Sequence, residues 1–109
     1  SLGGAGRTAS GRAMNKFQQT PATVRRLEDI PNIGKAVADE LRLIGVATPA
    51  ELWGRDPYAL YAGLNAATGM RHDPCVLDTF IAATRFMAGE AARPWWAYTA
   101  ERKARLGQK

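Results

Sequence analysis

Apolar side chains recur at three- and four-residue spacing from Thr20 to Gly89, in short runs separated by one punctuation: a small polar residue followed by proline. Proline is favoured at the first helical position, where its missing N–H costs no hydrogen bond, so each pair predicts a helix start. Thr20-Pro21 opens a short helix to about Glu28. A second helix runs from about Gly34 to Ile44, with Val37, Ala38, Leu41 and Ile44 on one face and Gly45 as its stop. Thr48-Pro49 opens a third, and Glu51, three residues after Thr48, completes a capping box. Asp56-Pro57 opens a fourth, which buries Leu60, Tyr61 and Leu64 and leaves through a left-handed Gly69. Asp73-Pro74 opens the longest, where Val76, Leu77, Phe80, Ile81, Thr84 and Met87 form a stripe up to Gly89, and Arg93-Pro94 opens a last amphipathic segment. No window alternates with period two, so the expected fold is all-α, a compact bundle of five or six short helices.

Composition narrows the class. With 109 residues, 46% hydrophobic and 23% charged, the chain has the size and apolar content of one folded domain. No apolar run approaches the roughly 18 residues of a membrane span and no secretory segment opens the chain, so a cytoplasmic location without a membrane partner is expected. The lone Cys75 closes no internal disulfide, and with His72 the sole histidine there is no soft-ligand cluster for zinc. Residues 1–13 combine Ser, Gly, Ala, Thr and Arg without periodicity; residues 1–19 are expected to be a flexible arm or an appended leader, 20–92 the folded domain, and 93–109 a basic segment packed on it.

The formal charge of +5 is unevenly placed. Residues 14–92 carry eight basic and nine acidic side chains, whereas residues 93–109 carry Arg93, Arg102, Lys103, Arg105 and Lys109 against Glu101 alone. A polyanion meeting the central body would therefore be held by backbone groups and a few placed cations, not by a general positive field.

Leu27 to Leu41 reads as helix, tight hairpin, helix. Leu27 and Ile30 seal the first helix, Ile33 points into the joint, and Ala38 lets the helices approach while Leu41 closes the far side. Gly34 is expected to take a positive φ at the entry of the next helix, whose free N–H groups receive a phosphate oxygen, with Lys35 as a cationic donor. Contacts of this kind read backbone rather than base edges and carry no sequence preference.

The run Ile30-Pro31-Asn32-Ile33-Gly34 resembles the helix-hairpin-helix motif of DNA repair and recombination proteins, whose hairpin commonly reads Leu-Pro-Gly-hydrophobic-Gly; Asn32 stands at the family's first glycine. A wider resemblance covers residues 24 to 103. The hairpin, Asp73-Pro74-Cys75-Val76-Leu77-Asp78-Thr79-Phe80, Arg85-Phe86-Met87 and Pro94-Trp95-Trp96 with Arg102-Lys103 are together similar to the small bacterial pathogenicity-locus, or mitomycin-resistance-protein-like, family. That resemblance implies a helix-hairpin-helix (SAM-like) domain associated with nucleic acid, and it assigns no catalytic residue.

The expected DNA-binding set is Asn32, Ile33, Gly34, Lys35, Arg102 and Lys103. The competing reading of the hairpin is a helix-packing device that touches no DNA. Trp95 and Trp96 either stack on unpaired bases or anchor the tail; neighbouring side chains on a helix diverge by about 100°, so at most one forms a platform, and anchoring is expected of both. His72, Asp73, Cys75 and Asp78 invite a nucleophilic reading, since a thiol at a helix start can have a lowered pKa, but a helix start at Asp73-Pro74 explains them without chemistry. No enzyme, organic cofactor or metal is expected. Two functions remain: a non-sequence-specific DNA-binding protein for repair or stress resistance, and a protein-interaction adaptor using apolar surface near Trp95 and Trp96.

Overall fold

A computed structural model describes residues 19–106; the arm expected over residues 1–19 lies outside them but for Gln19, as does Lys109. The described residues form four α-helices and no strand: α1 (Lys35–Leu43), α2 (Pro57–Thr68), α3 (Pro74–Met87) and α4 (Thr99–Leu106). Single 3-10 turns at Leu27–Asp29 and Pro49–Leu52 stand where two further helices were expected, and a third at Trp95–Tyr98 leads into α4 within the expected last segment.

The proline rule places the starts of α2 and α3 correctly, and in both the preceding aspartate caps the helix. The Asp56 carboxylate accepts the N–H of Tyr58 and that of Asp73 accepts the N–H of Cys75. Gly69 leaves α2 at φ 71°, as its place in the sequence predicts. The segment after Thr20 departs from expectation. Asp29 reaches back to accept the N–H groups of both Arg25 and Arg26, donors that a continuous helix would have turned toward carbonyls four residues earlier. The chain turns once after Pro21, where the Thr23 and Val24 N–H groups reach the Thr20 carbonyl, then is extended at Arg26 before the Leu27–Asp29 turn. At Thr48 the capping box is one-sided: the Glu51 carboxylate accepts the Ala47 N–H and the Thr48 hydroxyl, and Thr48 itself caps nothing.

Helix α3 is the centre of the fold. Ten of its fourteen residues are buried, more than the single stripe read from the sequence, because α2, the Pro49–Leu52 turn, the Trp95–Tyr98 turn and α4 pack around it. Phe80, Ala83, Phe86 and Met87 meet Leu27, Ile30, Ile33, Ala38, Leu41, Leu52, Leu60 and Leu64 in the main core. Leu77, Ile81, Ala82 and Tyr98 form a second cluster on another side, with Tyr58 and Tyr61 against it. Burial of each large aliphatic or aromatic side chain contributes roughly 1.5–3 kcal/mol, so these two clusters fix how the helices sit.

Arg42 of α1 ties the first turn to the bundle. It donates to both carboxylate oxygens of Glu28 at 3.0 and 2.8 Å and also reaches Asp39 at 3.1 Å. The guanidinium hydrogen bonds hold Glu28 at a pKa of about 2, well below the ordinary carboxylate value. A carboxylate with a depressed folded pKa stabilises above its unfolded pKa and loses that contribution as pH falls through the folded one. Arg42→Ala is therefore expected to melt below the wild type at pH 7, with the gap closing as pH falls from about 4.5 toward 2. Thermal melts across that range check it; a pH-independent gap refutes the assignment.

Candidate nucleic-acid interface

The turn before α1 depends on Asn32. It takes φ 74°, the sole positive φ at a non-glycine among the described residues, at the position where the hairpin motif has glycine. Asparagine tolerates this region better than other side chains. The positive φ expected at Gly34 is thus displaced two residues: Gly34 is extended at φ −95° and serves as the N-cap of α1. The reversal happens at Asn32, and Gly34 leads an already aligned chain into the helix.

The Asn32 side chain faces the protein, not solvent chemistry. Its Nδ2 donates to the Arg93 carbonyl at 2.7 Å and its Oδ1 accepts the Trp95 N–H at 3.1 Å. This two-point clamp joins residues more than sixty positions apart and bolts the C-terminal segment to the hairpin. Ile33 is fully buried and donates its N–H to the Ile30 carbonyl, so it shapes the turn from within. Both were expected to offer backbone amides to DNA; the Ile33 N–H is taken by the Ile30 carbonyl, and the Asn32 side chain is committed to the C-terminal segment.

The exposed part of the predicted set is Gly34 and Lys35. No side chain caps α1, and a Cβ built on Gly34 would meet nothing within 4 Å. The start of α1 is therefore uncapped by any side chain, and Gly34, Lys35 and Ala36 are exposed, as anion recognition at a helix start requires. The Lys35 side chain is 82% exposed and pairs with Asp39 at 2.8 Å; that hydrogen bond holds the Asp39 carboxyl below its ordinary range.

Arg102 is the second correction. It is buried, and its Nε and Nη2 donate to the two carboxylate oxygens of Asp78 at 2.9 and 3.2 Å. Asp78 is fully buried in α3 and also accepts the Thr99 hydroxyl at 2.7 Å. A buried carboxylate needs such partners, so Arg102 docks α4 rather than meeting a polyanion. Sequence reading missed Asp78 and Thr99 as a unit, although an aspartate inside the apolar run Val76 to Ile81 was the available signal. Lys103, the remaining predicted cation, is half-buried and pairs with no carboxylate among the described residues.

The two tryptophans divide. Trp95 is half-buried behind the clamp, whereas Trp96 is 64% exposed, with its ring edge-on to Trp95 at a centroid distance of 5.6 Å. Anchoring holds for one of them only, because Trp95 and Trp96 occupy a 3-10 turn pinned at Trp95.

Burial pushes the Cys75 thiol up, and the Asp73 carboxylate beside it pushes the same way, opposite to the lowering a thiolate nucleophile needs. His72 turns elsewhere, with Nδ1 at 2.8 Å from Asn65 Oδ1 and Nε2 at 3.8 Å from Glu40 Oε2. Among the described residues no three His, Cys, Asp or Glu side chains could hold a metal, and no helix is long and apolar enough to cross a membrane.

These features define a small all-helical protein organised around one buried helix, with a rigid turn that opens a helix N-terminus to the surface. The chain belongs to the family described as Pathogenicity locus, whose model matches residues 20–104. It is similar to the mitomycin resistance protein McrB of Streptomyces lavendulae, with 46% identity over 80 residues that span 73% of this chain and 76% of that protein. No solved structure matches it.

Proposed function

We propose that this protein binds DNA without sequence preference, in the service of resistance to chemical stress, through a helix-hairpin-helix-type turn that grips phosphate. The observation that carries the reading is the open first turn of α1, with Gly34 uncrowded and Lys35 beside it, held in place by the Asn32 clamp. Family membership and the name of the McrB relative supply the stress-resistance context. The near-neutral body makes the contact local: a few amides and one lysine act on one or two phosphates.

Lys35→Glu tests it. An acidic residue at a helix start favours the helix dipole, so the variant is expected to fold. Its carboxylate removes the cation and competes for the same amides. Affinity for DNA is expected to fall on the order of tenfold, with a shallower salt dependence, measured by fluorescence anisotropy across a salt series. Unchanged affinity and slope would remove the hairpin from binding.

Exposed Trp53, at 69% exposure, together with Leu43 and Met70 favours the adaptor reading, in which the hairpin is structural and these side chains meet a protein partner. Pull-down after nuclease treatment separates the two: DNA binding predicts that partners vanish with the nucleic acid.

A further inference from the structure

We infer that the Trp96 indole is a stacking platform for an unpaired base, so that the nucleic acid gripped at α1 is single-stranded or has an unpaired end. The inference rests on the DNA-binding reading and adds a substrate class to it.

Three observations converge on Trp96. Trp96 is left mostly in water while Trp95 beside it is half-buried; Trp53 is exposed too, but of these two exposed indoles Trp96 is the one that adjoins the Asn32 clamp. The ring is also braced: it packs nearly perpendicular to the Trp95 ring, and the Trp95 N–H is fixed to Asn32, which limits the freedom left to lose on stacking. Such preorganisation is what a stacking surface needs. Finally, the position is shared with the hairpin. Trp96 is one residue from the clamp and Gly34 is two, which by chain geometry keeps the indole within about 20 Å of the open amides of α1.

Charge selects the occupant. Exposed Arg93, on the other side of Pro94, forms an ion pair with no carboxylate among the described residues, whereas Arg85 is paired with Glu101 and Glu90, and Arg102 with Asp78. An apolar aromatic face flanked by an unmatched guanidinium complements a base attached to a phosphate, whereas a purely apolar protein partner would leave Arg93 desolvated and unpaired. Stacking on a π-face also carries no sequence preference, as does phosphate contact at the hairpin.

The experiment compares anisotropy titrations of a short labelled oligothymidylate and a blunt duplex of the same length against wild type, Trp96→Ala, Trp96→Phe and Lys35→Glu. Trp96→Ala is expected to weaken the single strand on the order of tenfold and leave the blunt duplex within about twofold, and Trp96→Phe to retain most of the single-strand affinity. Lys35→Glu lowers both probes. Equal losses on both probes, or no loss, for Trp96→Ala overturns the platform while the hairpin reading stands. Wild-type protein that binds neither probe overturns both. Circular dichroism of Trp96→Ala confirms that the fold is intact, as the exposure of the side chain requires.

Discussion

Arg102→Ala is expected to destabilise the protein by about 3 kcal/mol or more, because it leaves the fully buried Asp78 carboxylate with the Thr99 hydroxyl as its main remaining partner. Removing one member of a buried pair costs more than the pair itself contributes, since the stranded charge keeps its desolvation penalty. For a domain of this size that loss corresponds to a drop of at least about 12 °C in Tm. The effect is expected to be largest at the C-terminal end: α4 is held by this pair, and Tyr98, Leu77 and Ile81 form the apolar cluster beneath it. Replacing both charges, as in Asp78→Leu with Arg102→Met, is expected to recover part of the loss, because no buried charge then lacks a partner. Thermal and urea denaturation read the result. A cost below about 1 kcal/mol for Arg102→Ala would show that the pair does not hold α4.

Asn32→Ala is expected to cost about 3 kcal/mol, and Asn32→Gly only about 1, because the two substitutions divide the residue's double role. Both remove the bonds to the Arg93 carbonyl and Trp95 N–H, each worth about 1 kcal/mol. Alanine also meets the steric penalty of φ 74°, whereas glycine relieves it, which offsets part of the lost clamp. The Trp95 amide is expected to exchange its hydrogen faster in both variants, since its acceptor is gone in both. Denaturation midpoints and amide exchange together separate backbone from side chain. Equal stabilities for the two variants would mean that the reversal at residue 32 carries no strain.

The contrast at this turn shows where sequence reading reaches and where it stops. Proline after a small polar residue marks α2 and α3 because capping and the missing proline N–H act within three residues of chain. At Pro21 and Pro49 the same cue opens only a single turn; after Pro21 the Asp29 carboxylate reaches back and redirects the backbone donors of Arg25 and Arg26. The hairpin was legible as a turn from Pro31, Asn32 and Gly34, and the open amides of α1 follow from its lack of a capping side chain. That the left-handed residue is Asn32 rather than Gly34 was not legible, since asparagine competes with glycine for that geometry only when its side chain has something to hold, and its partners lie at Arg93 and Trp95.

By itself, then, the order of residues determined an all-helical fold, its longest helix, many of the apolar side chains of its core and a tight turn before α1, because periodicity, caps and turns are short-range effects. Only the packed molecule decided which polar groups stay at the surface. Arg102 and Asn32, both plausible contacts on a string of letters, turned inward to satisfy a buried carboxylate and a distant stretch of backbone, and Trp96 was left outside. The physical reason is that a buried charge or an unpaired peptide group is costly enough to claim the nearest partner in space, and nearness in space is what one dimension does not contain.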